Sequence, residues 1–159
     1  MTVYVLDASA IVELEGVCID AGHDLEEAFR ALTDLVESGE LICPARVVRE
    51  CKDLAPTDRG TQWLRVASAN FTDCSAPYTF QEQVIQSCPE IIDPRVTEES
   101  LSVIVLSLAC YRRAQDHDVE VVTQQWTVPP NQVALASAAV NLGFRAISVE
   151  TLLGVLLLL

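Results

Sequence analysis

The run Val3-Tyr4-Val5-Leu6, followed at once by Asp7-Ala8-Ser9, decides the fold. It is short, uninterrupted, apolar and rich in β-branched and aromatic side chains, so it reads as a strand buried on both faces that ends in a turn. A strand of that kind belongs to the interior of a parallel sheet covered by helices rather than to an antiparallel sheet with one wet face.

The chain around it agrees. Asp24 precedes Glu27 by three residues, a capping-box spacing with aspartate as the cap. Leu25, Ala28, Phe29, Leu32, Leu35 and Val36 then recur at the helical period as far as Glu37, and Gly39 closes the element. Leu41-Ile42-Cys43 is a second short strand, and Pro44 opens a helix carrying Val47, Val48, Cys51 and Leu54 on its apolar face. Thr57 or Asp58 caps a helix with Trp63, Leu64, Val66 and Ala67, and Pro77 to Cys88 is another. Thr97 caps a strongly apolar helix from Glu98 to about Arg113. Val119–Thr123 is a strand, Pro129-Pro130 start a helix that runs to Asn141 before Gly143, Arg145–Ser148 is the last strand, and a helix begins at Glu150. Short apolar strands alternating with amphipathic helices predict an α/β domain, its central parallel sheet of four to five strands covered by helices on both faces.

At 159 residues the chain matches one domain, residues 1–159, with a core of its own. Ten basic against 23 acidic residues leave a net charge of −13, and Lys52 is the single lysine. That balance repels phosphate backbones at long range and excludes nucleic-acid binding by charge alone; it suits a basic protein partner or an acidic pocket for divalent cations. Six cysteines without a C-x-x-C pair read as reduced, mostly buried thiols, and the start carries no secretory signal, so the expected location is cytoplasmic. The eight-residue apolar end, Leu152–Leu159, is too short to span a bilayer; it is expected to dock as a helix end and could cover a homodimer surface.

Ligands of open parallel sheets sit beyond the carboxyl ends of the strands, which puts Asp7 first among the candidates. Asp7 has two readings, a cap on the helix that follows and a member of a site. Glu50 lies on the register Val47-Glu50-Leu54, and a carboxylate turned toward an apolar face must be paired, hydrogen-bonded or bound to a cation. Its other reading is a solvated glutamate at the edge of that face.

The segment Tyr4-Val5-Leu6-Asp7-Ala8-Ser9-Ala10 resembles the first motif of PIN domains, the nuclease fold of many bacterial toxins of toxin–antitoxin pairs. Gly39-Glu40-Leu41-Ile42-Cys43-Pro44-Ala45-Arg46-Val47-Val48-Arg49-Glu50 resembles their second motif. Trp63, Phe71 and the Val121-Val122-Thr123 strand extend the likeness over nearly the whole chain, closest to a longer PIN-like subfamily of about this size. The resemblance implies a ribonuclease that hydrolyses RNA phosphodiesters with Mg²⁺ or Mn²⁺ held by acids from separate elements, and an antitoxin-like basic partner. It implies Asp7 and Glu50 as metal ligands whose carboxylates come within about 4–6 Å of each other, given metal–oxygen bonds near 2.1 Å.

Two of the family's acidic positions are replaced. Ser102 stands where an aspartate is expected, and Gln124-Gln125 follow the strand where the fourth acid belongs. Glu98 and Glu99 lie one helical turn before Ser102, so Glu99 is the candidate third ligand, although carboxylates in a first turn also simply complement the helix dipole. Thr123 or Ser9 would orient ligands and water. The chain therefore reads as a nuclease weakened by the loss of two acids, or as a catalytically inactive PIN-like subunit that binds another protein.

Overall fold

The computed structural model describes residues 2–89, 101–125 and 134–157. The chain begins with β1 (Thr2–Leu6), α1 (Ala8–Val12), α2 (Leu14–Asp20) and α3 (Leu25–Glu37). It continues through β2 (Leu41–Ile42), α4 (Ala45–Leu54), α5 (Arg59–Ala67), a 3₁₀ turn at Ser68–Asn70 and α6 (Tyr78–Ser87). After residue 100 come α7 (Leu101–Ala114), β3 (Asp118–Val122), α8 (Leu135–Asn141), β4 (Arg145–Ile147) and α9 (Val149–Leu156). This is an α/β architecture, as the strand and helix alternation predicts.

Among the described residues the sheet has four strands in the order β2-β1-β3-β4, every pair parallel. Its register places Leu6 beside Val122 and Val122 beside Ile147. Val5 and Leu6 point to opposite faces of β1, yet both are buried, as are Val121 and Val122 of β3. Two covered faces explain why those strands carry apolar residues in succession instead of alternating them.

The strand order reverses between β1 and β3. From β1 the chain crosses to β2 on one side, and from β3 it crosses to β4 on the other, so the connections leave in opposite directions and open a crevice at the carboxyl ends of these two central strands. Asp7 directly follows one and Thr123 directly follows the other.

Local rules explain most helix boundaries. Asp24 accepts from Glu27 N (3.1 Å) and Asp58, rather than Thr57, accepts from Thr61 N (3.0 Å). Gly39 takes a φ of +79° to leave α3, a left-handed conformation that a side chain would disfavour. Trp63 is a packing residue: it stacks on Phe29 at 5.9 Å and donates to Thr33 Oγ1 (2.9 Å). All six cysteines are free and five of them are buried.

Several expectations need correction. Leu54 and Val66 do not face the core; they are 68% and 77% exposed. On α4 the inward positions are Val47 and Cys51, one helical repeat of four apart, and Leu54 comes at the last residue of the helix, beyond the reach of that packing. The segment after Asp7 is helical (α1 and α2) rather than a turn. β3 ends at Val122 and β4 at Ile147, each one residue earlier than expected, because Thr123 and Ser148 turn their side chains to capping and site contacts. The predicted starts at Thr97–Glu98 and at Pro129-Pro130 lie outside the described residues.

Candidate active site

Asp7 is 5% exposed at the end of β1. Its Oδ1 accepts from Ala10 N (2.9 Å), the first cap of α1, and its Oδ2 accepts from Thr123 Oγ1 (2.7 Å). Ser9 Oγ lies 2.9 Å from both carboxylate oxygens and 3.3 Å from Thr123 Oγ1. The two hydroxyls are themselves oriented: Ser9 Oγ accepts from Gln124 N (3.0 Å) and Thr123 Oγ1 from Gln125 N (2.9 Å). With their acceptor sides taken by backbone amides, both hydroxyls turn their protons toward Asp7. The arrangement suits an ionised carboxylate, which can only accept.

Burial works against that charge. Desolvation raises the Asp7 pKa and outweighs the hydrogen bonds from Thr123, Ala10 and Ser9, which lower it, while the neighbouring Glu13 charge pushes it up further. The result is a carboxyl group held in one orientation but kept from its full acidity. Such a poised acid in a crevice marks a candidate functional site.

A cavity of about 100 Å³ opens in front of it, lined by Asp7, Ala8, Ser9, Leu101, Ser102, Val105, Gln125 and Leu135. Asp7, Ser102 and Gln125, three of the four positions singled out in the sequence, thus meet at one place. Glu50 does not line that cavity. It sits half-buried on α4 beside Cys51, whose thiol is pushed up to about 11 by burial, then by Asp7, Asp58 and Glu50. A thiol so protonated at neutral pH is no nucleophile. Glu98 and Glu99 lie outside the described residues.

The glutamines do something the sequence did not announce. Gln125 Oε1 accepts from Leu135 N (2.9 Å) at the start of α8, and Gln124 Oε1 accepts from Val149 N (2.8 Å) at the start of α9. Gln124 Nε2 meanwhile donates to the Glu150 carboxylate (3.2 and 3.3 Å). Ala134, which precedes α8, provides no side-chain cap, so Gln125 supplies from afar what local sequence lacks. The only available signal was two consecutive amides just beyond a buried strand, and no spacing rule links them to helices that begin 10 and 25 residues later.

Around the cavity the donors are oxygens, which fits a hard cation in kind. Asp7 is the single carboxylate lining it among the described residues, and no group of three or more His, Cys, Asp or Glu side chains there converges as a metal cluster. Mg²⁺ commonly takes one or two carboxylates with waters and substrate phosphate, so these residues fit a weakly held ion.

Arg112 and Arg113, the pair at the end of α7, make intramolecular ties. Arg112 is buried and donates to the carbonyl of Thr72 (3.3 Å), whereas Arg113 donates to the carbonyl of Leu142 (2.7 Å) and covers the Phe144 ring at 4.1 Å. No helix among the described residues is long and apolar enough to cross a membrane.

The chain matches no protein-family model and no curated protein.

Proposed function

We propose that this chain is a PIN-like ribonuclease of the toxin type, its activity weakened by the replacement of two acids. One observation carries the reading: an acid oriented by two hydroxyls and a backbone amide stands in a cavity at the switch point of a parallel sheet, with Ser102 and Gln125 beside it. Asp7 would hold a Mg²⁺ or Mn²⁺ ion; the family resemblance implies Glu50 and Glu99 as further ligands, although Glu50 does not line the cavity in front of Asp7. The chemistry supplied by such an ion is polarisation of an RNA phosphodiester and a lowered pKa of bound water.

This chain's own residues do the positioning. Ser9 and Thr123 aim their hydroxyl protons at Asp7, which lines the cavity. The Ala10 amide fixes the rotation of the carboxylate, and burial keeps bulk water away from it.

A second reading, a non-catalytic PIN-like subunit that binds a basic protein, is favoured by the glutamines, whose side-chain oxygens are committed to helix starts. Mn²⁺ titration of wild type and Asp7→Asn, followed by cleavage of a fluorogenic RNA, separates the two. The nuclease reading expects saturable millimolar binding and slow cleavage, both lost in Asp7→Asn. Wild type that neither binds Mn²⁺ nor cuts RNA leaves the second reading.

A further inference from the structure

The amino ends of the strands border a second hollow, away from Asp7. It is an open cavity of about 400 Å³, reached by Thr2 at the start of β1, Asp118 at the start of β3 and Arg145 at the start of β4. Asp7 follows the opposite end of β1, so at about 3.3 Å per residue the length of the strand, roughly 16 Å, separates it from Thr2. The volume is that of a small-molecule site, and what binds there is independent of the nuclease reading.

One cation in this cavity is held in place without being neutralised. Arg113, at the end of α7, is seated by three consecutive residues between α8 and β4. Its Nη1 donates to the Leu142 carbonyl (2.7 Å), and its guanidinium covers the Phe144 ring at 4.1 Å. Gly143 between them leaves it room: a Cβ there would come within 3.3 Å of Nη1, and the φ of +88° already disfavours a side chain. A carbonyl and a ring orient a guanidinium but leave its charge unmatched. Among the described residues no carboxylate pairs with Arg113, although the chain holds 23 acids to ten bases and Asp116 and Asp118 are close in sequence. The residue is exposed, so its remaining N–H groups are open to a ligand.

The rest of the lining restricts what that ligand can be. Val119 and Phe144, 8% and 5% exposed, give the cavity an apolar wall. Arg145 extends into solvent with its Nε 3.3 Å from Glu120 Oε1, so that acid already has a cation. Asp118 is exposed, and His117 beside it is half-buried. An organic cation would meet both arginines here. A dianion such as phosphate would be repelled by Asp118 and Glu120. A monoanion matches the one fixed charge left over.

We propose that this cavity binds a small organic carboxylate, its oxygens on the free N–H groups of Arg113 and its short apolar body against Val119 and Phe144. The planar fork of a guanidinium fits the two oxygens of a carboxylate, which an ammonium cannot do. Seating by Leu142, Gly143 and Phe144 fixes that fork before the ligand arrives, so little order has to be created on binding.

The test is titration of the full chain with butyrate, inorganic phosphate and butylammonium, with backbone amide shifts reading both place and affinity. Butyrate should bind with a Kd on the order of millimolar and at least roughly fivefold tighter than either other probe, with shifts at residues 113, 117–120 and 142–145. Arg113→Lys keeps the charge and loses the fork, and should weaken butyrate by roughly fivefold or more. Asp118→Asn removes a like charge from an exposed position and should tighten butyrate by roughly twofold at low salt. Melting curves verify the fold of both variants, and Asp118→Asn carries the test alone if Arg113→Lys does not fold. No shifts at butyrate roughly tenfold above that range, shifts centred on Asp7 instead, or phosphate or butylammonium binding as tightly would each overturn the proposal. So would a folded Arg113→Lys that binds like wild type, or an Asp118→Asn that binds no tighter.

Discussion

Thr123 is fully buried, and its hydroxyl does two jobs: it donates to Asp7 Oδ2 at 2.7 Å and accepts from Gln125 N at 2.9 Å. Thr123→Val keeps the shape and deletes both. Loss of a hydrogen bond to a charged group costs about 1.5–3 kcal/mol, and a buried amide left without an acceptor adds about 1–3 kcal/mol. Allowing for partial relaxation, the variant should be about 3 kcal/mol less stable near neutral pH. At about 2–4 °C per kcal/mol for a chain of this size, the melting temperature should fall by about 6–12 °C. Thr123→Ser retains the hydroxyl and should lose much less. The pH dependence supplies a second check. The Thr123 bond lowers the Asp7 pKa, so its removal raises that pKa further, and the penalty should be largest where Asp7 is ionised and shrink as pH falls through its raised pKa. Urea denaturation of the three proteins across pH measures both effects. A Val variant as stable as the Ser variant, or a deficit that grows on acidification, would refute the hydrogen-bond account.

Two further outcomes follow from the same geometry. The folded-state pKa of Asp7 lies above its unfolded value, so the stability this group contributes is full below the ordinary aspartate pKa and is lost as pH rises through the raised one. Asp7→Asn should lack that decline, and the wild-type and variant urea midpoints should converge toward acid pH and separate in favour of the variant above it. Gly60 packs against α1 so closely that a Cβ there would lie 2.4 Å from the Ile11 carbonyl oxygen. Gly60→Ala should destabilise by about 2–3 kcal/mol, whereas Gly154→Ala, in open space on α9, should stabilise by about 0.5–1 kcal/mol; equal melting temperatures for the two would sink that reasoning.

Those contrasts show which parts of the molecule were legible in the sequence. Elements whose cause is local read well: Val3–Leu6 as a doubly covered strand, Asp24 and Asp58 as caps, Gly39 as a helix stop. What failed depended on neighbours distant in the chain. Leu54 continues the apolar period of α4 but outlasts the surface that could cover it. The helices after Asp7 carry glutamates, a glycine and apolar residues without a strong cap signal beyond Asp7 itself, whose carboxylate serves α1 and the site together. For the site, the family resemblance marked the positions of Asp7, Ser102 and Gln125, which line one cavity, whereas the sequence paired Asp7 with Glu50, which does not line it. The helix-tying roles of Gln124 and Gln125 were not legible, since they join residues that the topology alone makes adjacent.

The outer strands of the sheet, β2 and β4, are two and three residues long. Unpaired backbone on a sheet's rim is what lets one molecule zip onto another and seed fibrils, and here the rim is little more than a notch on either side. Growth by strand addition on these two edges therefore has almost no template.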